Sequence, residues 1–253
     1  MAQTISDELS RADEAFAGNR LLSTFPREAR ALIEPFATVV ELQPGATVFS
    51  HGEDIAASLF PFGPTLVSLV VELTSGRSVE AASIGREGAI GGIISCGQAP
   101  AFSTAVVQAG GSALRVPMAA LDDAKARSPF IANIFCRYAD YLLAQVMQSV
   151  ACNALHSMAE RAARWLLTAQ DRAGSRIELT QEGLAAVLGV QRTSVNAVVG
   201  LLQQEGLIAV RRGAVEILDR AGLKRRSCEC YDAVERHFAR VIGASGSGAS
   251  TGC

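Results

Sequence analysis

The sequence is short of the residues that usually carry catalysis or bind metals. Three histidines, one tryptophan and three tyrosines are spread over 253 residues. No Cys-x-x-Cys occurs, and Cys228-Glu229-Cys230 is not a usual zinc spacing. The one histidine near it, His237, does not complete a ligand set, so no metal and no cofactor is expected. No Ser/His/Asp set, paired carboxylates or phosphate loop has usable spacing, and Gly85-x-x-Gly88 lacks the lysine of a P-loop. An enzyme is therefore not expected. No apolar run approaches the roughly 20 residues that span a bilayer, so no membrane partner is expected. Met1–Glu8 has neither a basic region nor an apolar core, so a secretory signal is not expected and a cytoplasmic location is. In that compartment the six cysteines should be reduced thiols. Cys96, Cys136 and Cys152 read as small buried hydrophobes, with a redox or metal role as the other reading.

What the chain does have is concentrated after residue 156. The net charge of −2 hides an asymmetry. Before His156, 10 Lys/Arg face 15 Asp/Glu, and from His156 onward 13 face 10. The positive excess lies where a DNA-binding pattern is found. Thr180 can cap a helix over Gln181–Leu188, whose Leu184, Val187 and Leu188 form one stripe. Gly189 suits a left-handed turn, and Val190 can plug the corner beyond it. A second helix follows at about 192–205, with Thr193 or Ser194 as its cap and Gly206 at its end. Val195, Val198, Val199, Leu201 and Leu202 are its apolar side. Arg192, Ser194 and Asn196 face outward. Leu207–Val210 and Ala214–Leu218 read as two strands joined by Arg211-Arg212-Gly213, a basic tip suited to phosphates. Together these give a winged helix-turn-helix, whose partner is double-stranded DNA. An ordinary αα-hairpin followed by a β-hairpin is the alternative.

The first half reads differently. Pro26–Phe36 is a short helix. From Thr38 to Pro117, β-prone runs alternate with turns: Thr38–Leu42, Ala46–Phe49, Ser58–Phe62, Leu66–Leu73, Ser78–Ile84, Phe102–Gln108 and Ser112–Pro117. Gln43-Pro44-Gly45-Ala46 suits a type II turn, and Thr74–Arg77 a hairpin. Strands at this spacing predict a β-sandwich or jelly roll. Pro129 then begins a long helix. Ile131, Phe135, Tyr138, Leu142, Gln145, Ser149 and Cys152 follow a 3,4 spacing along it. One face can pack on the barrel and another on a second copy of the helix. A single buried helix in a monomer is the alternative. Ser157–Arg172 is a further helix, and residues after Ile242 read as a flexible tail.

A β-roll, a long connecting helix and a C-terminal winged helix-turn-helix together resemble the Crp/Fnr family of bacterial transcription regulators. The resemblance covers roughly residues 20–235 and is strongest over Leu179–Leu218. Ile84–Gly92 looks like the Gly-rich segment of that family's effector domain. Cys228-Glu229-Cys230-Tyr231 resembles the ending of a proteobacterial branch. The implied fold is α+β: an antiparallel β-roll or jelly roll at 20–120, a dimerisation helix at 121–156, a winged helix-turn-helix at 157–235 and a tail at 244–253. The implied partners are a second copy of the chain, a palindromic operator and RNA polymerase. The implied function is sequence-specific transcription regulation. A ligand or thiol-redox sensor acting mainly through protein contacts is the alternative.

The resemblance also implies a site. Its DNA-binding residues are Thr180, Gln191, Arg192, Thr193, Ser194, Asn196, Arg211 and Arg212. Arg192 is the best base or phosphate contact, since arginine can pair with guanine in bidentate fashion, and Asn196 can read adenine. Family members with well-known operators carry Glu where Thr193 stands and Arg where Ala197 stands, so a different operator is expected. The effector candidates are Arg86, Glu87, Gly88, Ser103 and Thr104. Cyclic-nucleotide-binding members need a carboxylate for the ribose and an Arg for the phosphate, and those positions fall near Ala89 and Ser103. With neither charge present, cyclic nucleotide is not expected to bind, and the effector is left open. No cysteine precedes Cys96, so the family's N-terminal iron–sulphur ligands are missing.

Overall fold

The computed structural model describes residues 11–93 and 100–243. Cys96, Cys253 and the expected tail at 244–253 lie outside the described residues. The N-terminal half is a two-sheet antiparallel β-roll. One sheet has the order β1-β7-β3 (Thr38–Leu42, Gly111–Pro117, Ala57–Pro61). The other has the order β2-β6-β4-β5 (Thr47–Phe49, Thr104–Ala109, Leu66–Glu72, Ser78–Ile84). The turns follow the sequence chemistry. Ala46 N–H reaches Gln43 O at 3.1 Å with Gly45 at φ 79°, the type II geometry. Phe60, Val67, Ile84, Ala105, Val107, Leu114 and Val116 fill the space between the sheets. A short helix, α1 (Arg27–Ile33), closes one end, with a 3-10 turn at Glu34–Phe36 completing the expected helical stretch.

Pro117 turns the chain into α2 (Met118–Arg127) and then α3 (Pro129–Leu155). Ser128 caps α3 by accepting from Ile131 N–H, and Pro129 sits in the first turn, where no donor is needed. At 27 residues α3 is about 40 Å long. Its buried side is Ile131, Ile134, Phe135, Tyr138, Tyr141, Leu142, Gln145, Ser149 and Cys152. Gln145 belongs to this side because its polar atoms are satisfied there. Its Oε1 accepts from Ser83 N–H at 2.7 Å, and its Nε2 donates to the Tyr141 hydroxyl at 3.2 Å. Cys136, expected inside, is instead exposed, because it lies on the opposite side of the helix.

His156 is extended and ends α3. Ser157 and Glu160 then form a capping box for α4 (Met158–Ala173). The winged unit follows: β8 (Arg176–Ile177), α5 (Gln181–Leu188), α6 (Arg192–Gln204), β9 (Ile208–Arg211) and β10 (Ala214–Ile217). Its three strands run in the order β8-β10-β9. Two further helices follow: α7 (Arg220–Arg226) packs on α4, and α8 (Cys230–Val241) returns along α3. Phe238 of α8 packs edge-on against Tyr141 at 5.0 Å, so the end of the chain joins the β-roll core.

Candidate nucleic-acid interface and effector loop

Local chemistry sets the helix-turn-helix corner. Thr180 Oγ1 accepts from Gly183 N–H at 3.0 Å and starts α5. Gly189 ends it at φ 68°, ψ 35°, a left-handed conformation open to glycine at no steric penalty. Val190, half-buried, fills the corner, and the two helix axes turn through 111°. The start of α6 differs from expectation. Neither Thr193 nor Ser194 caps it. The helix begins at Arg192 behind an extended Gln191, and the Ser194 and Val195 N–H groups already point back to Gln191 O. Both hydroxyls are thereby placed within the first turn, on the surface.

Val195, Val199 and Leu202 bury the inner side of α6. Gln191, Arg192, Thr193, Ser194, Asn196 and Ala197 are exposed. Within the described residues, no hydrogen bond or ion pair occupies the side chains of Gln191, Arg192, Thr193, Ser194 or Asn196. The β9–β10 hairpin carries Arg211 and Arg212 at its exposed tip, Arg211 leaning on Glu216 at 3.6 Å. Two structural features thus present cations and hydrogen-bonding groups outward: the first turn of α6 and the hairpin tip.

The effector candidates fare differently. Glu87 is buried, and Arg172 from α4 donates to it through Nε at 2.9 Å while its Nη1 reaches Ser83 Oγ at 2.7 Å. Burial alone would raise the Glu87 carboxyl, but the Arg172 guanidinium overrides it and holds the carboxyl below its ordinary value. The carboxylate is therefore spent on an internal pair and is not free for a ligand. Gly85 lets this pair form: a Cβ there would sit 2.6 Å from Arg172 Cγ. Gly88 likewise makes room for Tyr138, whose hydroxyl would lie 1.8 Å from an added Cβ and which donates to Ala89 O at 3.3 Å. Arg86 is exposed. It lines a cleft of about 240 Å³ together with Arg20, Glu87, Thr168, Asp171 and Arg172. Ser103 and Thr104 do not line that cleft. Thr104 instead accepts from His51 N–H at 3.2 Å. The five candidates thus do not form one site.

The same face couples the two halves of the chain. Trp165 of α4 donates its indole N–H to Glu80 of β5 at 3.0 Å. A Cβ on Gly189 would lie 2.9 Å from Val79 Cγ2, so the helix-turn-helix corner rests on β5. The sequence marks Trp165 only as the sole indole and gives Arg172 no role. The available signal was a cation and an indole on the apolar side of an amphipathic helix.

Cys152 is buried as expected, but it is not an isolated core residue. Cys152, Cys228 and Cys230 form a buried cluster of their own. The histidine beside them is His156, not His237. Burial pushes the Cys152 and Cys228 thiols up, which makes them weak nucleophiles.

Comparison with known proteins gives this geometry a context. Residues 160–226 match the Crp-like helix-turn-helix domain family. Over 53 residues the chain is 43% identical to the HTH-type transcriptional regulator Cmr of Mycobacterium tuberculosis. That match spans 21% of this chain and about a fifth (22%) of the relative's length. The fold is that of FixK2 from Bradyrhizobium japonicum, with a TM-score of 0.64 at 16% identity over 76% of this chain and 98% of that one. A CRP-family transcriptional regulator from Thermus thermophilus has a TM-score of 0.62 at 22% identity, covering 74% and 96% of the two chains.

Proposed function

We propose, for this chain of Crp/Fnr fold carrying a Crp-like helix-turn-helix domain, that it is a dimeric, sequence-specific regulator of transcription. The observation that carries the reading is the first turn of α6. It presents Arg192, Thr193, Ser194 and Asn196 outward with no partner among the described residues, beside the Arg211-Arg212 hairpin tip. A helix of this kind enters the major groove while the flanking arginines hold phosphates. Arg192 and Asn196 read bases. Thr180, Gln191, Thr193 and Ser194 position the helix. Residues 157–235 serve as the DNA-binding part and 20–120 as the effector part.

The other side of α3 supports the dimer. Cys136, Asp140, Leu143, Met147, Val150 and Ala154 are exposed at alternating spacings of four and three residues. Leu143, Met147 and Val150 are 53%, 61% and 65% exposed. This is the seam of a two-stranded coiled coil. Two copies joined there present two α6 helices to a palindromic operator. Tyr138 against Gly88 supports an effector part that does not take cyclic nucleotide.

Selection from random duplexes should recover a palindrome. Replacing both Arg192 and Asn196 by Ala should weaken specific binding by about 1–3 kcal/mol per lost base contact, with the folded state unchanged by circular dichroism. Equal specific binding by both proteins would remove the assignment. Sedimentation of Leu143→Glu/Met147→Glu should report a monomer where the wild type reports a dimer.

A further inference from the structure

Four side chains far apart in sequence converge where α3 ends and α8 begins. Cys152 and His156 lie one helical turn apart at the end of α3, and Cys228 and Cys230 flank the start of α8. One ligand atom from each lies within 4.8 Å of the other three. Cys152 Sγ is 3.6 Å from Cys228 Sγ, and Cys230 Sγ is 3.4 Å from His156 Nδ1. With Zn–S at about 2.3 Å and Zn–N at about 2.0–2.1 Å, a tetrahedral site has S···S edges of about 3.8 Å and S···N edges of about 3.6 Å. These two edges therefore fit a tetrahedron around one ion.

We propose that Cys152, His156, Cys228 and Cys230 bind a single zinc ion that has a structural role. Three thiolates and one imidazole select a borderline-soft tetrahedral ion, and four protein ligands leave no open position for catalysis. The surroundings are those of a ligand shell. His156 turns Nδ1 to the cluster and its Nε2 to Glu229 Oε2 at 3.3 Å, so a carboxylate orients the imidazole and fixes its tautomer. Gln148 Nε2 donates to Cys230 Sγ at 3.0 Å, a bond that a thiolate accepts better than a thiol. Three thiolates on Zn²⁺ leave one negative charge, and the guanidiniums of Arg161 and Arg164 act on Cys152 from α4. Arg164 Nε is buried without a hydrogen-bond partner.

The ion would join three parts of the chain: the end of the long helix, the His156 break that leads into α4, and the α7–α8 junction that follows the winged unit. It would fix the angle at which the DNA-reading unit leaves α3. The inference stands on the ligand geometry and is independent of the reading of α6.

The test is metal analysis of the full chain, isolated without chelator from zinc-replete cells. About one zinc per chain is expected, as for closed four-ligand sites. Cys152→Ser, Cys228→Ser and His156→Gln should each reduce it several-fold, while Cys136→Ser should leave it unchanged. Should the site variants fail to fold, wild-type protein exchanged with Co²⁺ gives the answer without them. Intense tetrahedral d–d bands and sulphur-to-cobalt charge transfer, both abolished by added zinc, are expected. A metal-free protein whose melting temperature ignores added zinc would overturn the proposal. So would a Cys152–Cys228 disulfide in freshly isolated protein, stoichiometric iron in place of zinc, or full zinc content in the folded Cys228→Ser variant.

Discussion

The outward side of α6 and the loop from Gly85 to Ile90 both attract attention in the sequence, and the structure uses them in opposite ways. On α6 the polar side chains are exposed and have no partner among the described residues. In the loop, Arg86 aside, the polar groups are buried and spent: Glu87 on Arg172, and the Gly88 and Ala89 carbonyls on Asn19 and Tyr138. A polar group that is satisfied inside the molecule has little left for a ligand, because binding would first have to break its bond. The exposed set thus remains available, and the buried set holds the two halves of the chain together.

The largest expected effect tests the buried side. Arg172→Met leaves the Glu87 carboxylate without its partner and should destabilise the fold by about 3–5 kcal/mol, read by denaturant midpoint. An unchanged midpoint would mean that the loop is not a latch. The pair also has a pH signature. The folded-state carboxyl of Glu87 is depressed, so its contribution is complete above the unfolded carboxylate value and is lost as pH falls through the lower folded value. Glu80 acts in the opposite sense. Burial raises its carboxyl, so its contribution is greatest in acid and is lost as pH rises through the raised value. Arg172→Met should replace the acid-side loss of Glu87 by the opposite dependence, because burial alone raises that carboxyl, and should strengthen the Glu80 dependence, because Arg172 also lowers Glu80.

Gly189→Ala probes the point where the two regions meet. The left-handed backbone makes a Cβ cost about 1–2 kcal/mol, and contact with Val79 adds to that. Its melting temperature should fall while the exposed side of α6 keeps its residues. The smallest effect belongs to the hairpin tip. Replacing Arg211 and Arg212 by Gln should leave stability unchanged and weaken all duplexes alike. The slope of log affinity against log salt should fall by about 2. A change in sequence preference would show that the tip reads bases.

Much of the fold was legible because it depends on local rules. Alternating β-prone runs placed the seven strands of the roll to within about two residues. The glycine at 189 marked the turn of the helix-turn-helix, and the 3,4 spacing from Ile131 to Cys152 gave the buried side of α3. The errors have physical causes. Thr193 and Ser194 have capping side chains, but Gln191 is already extended and the helix starts before them. Arg86, Glu87, Gly88, Ser103 and Thr104 looked like one pocket through family position. Glu87 and Gly88 are set by Arg172 and Tyr138, which lie 85 and 50 residues on from them in the chain, while Thr104 is set apart with His51. Gln145 is a polar entry in the 3,4 spacing of α3, and it is satisfied by Ser83 and Tyr141 inside one chain.

The sequence by itself determined the strands of the roll, the helices from α3 to α6, the turn at Gly189 and the outward residues of α6, because each follows from propensity, periodicity or a cap within a few residues, whereas α7 and α8 were not read from it. Only the tertiary structure decided which polar groups remain free. It set Glu87 against Arg172, rested the helix-turn-helix corner on Val79, and gathered Cys152, His156, Cys228 and Cys230 at one point. Those pairings join positions from 72 to more than 100 residues apart in the chain. No spacing rule covers such pairings, because packing and burial fix them rather than neighbours along the chain.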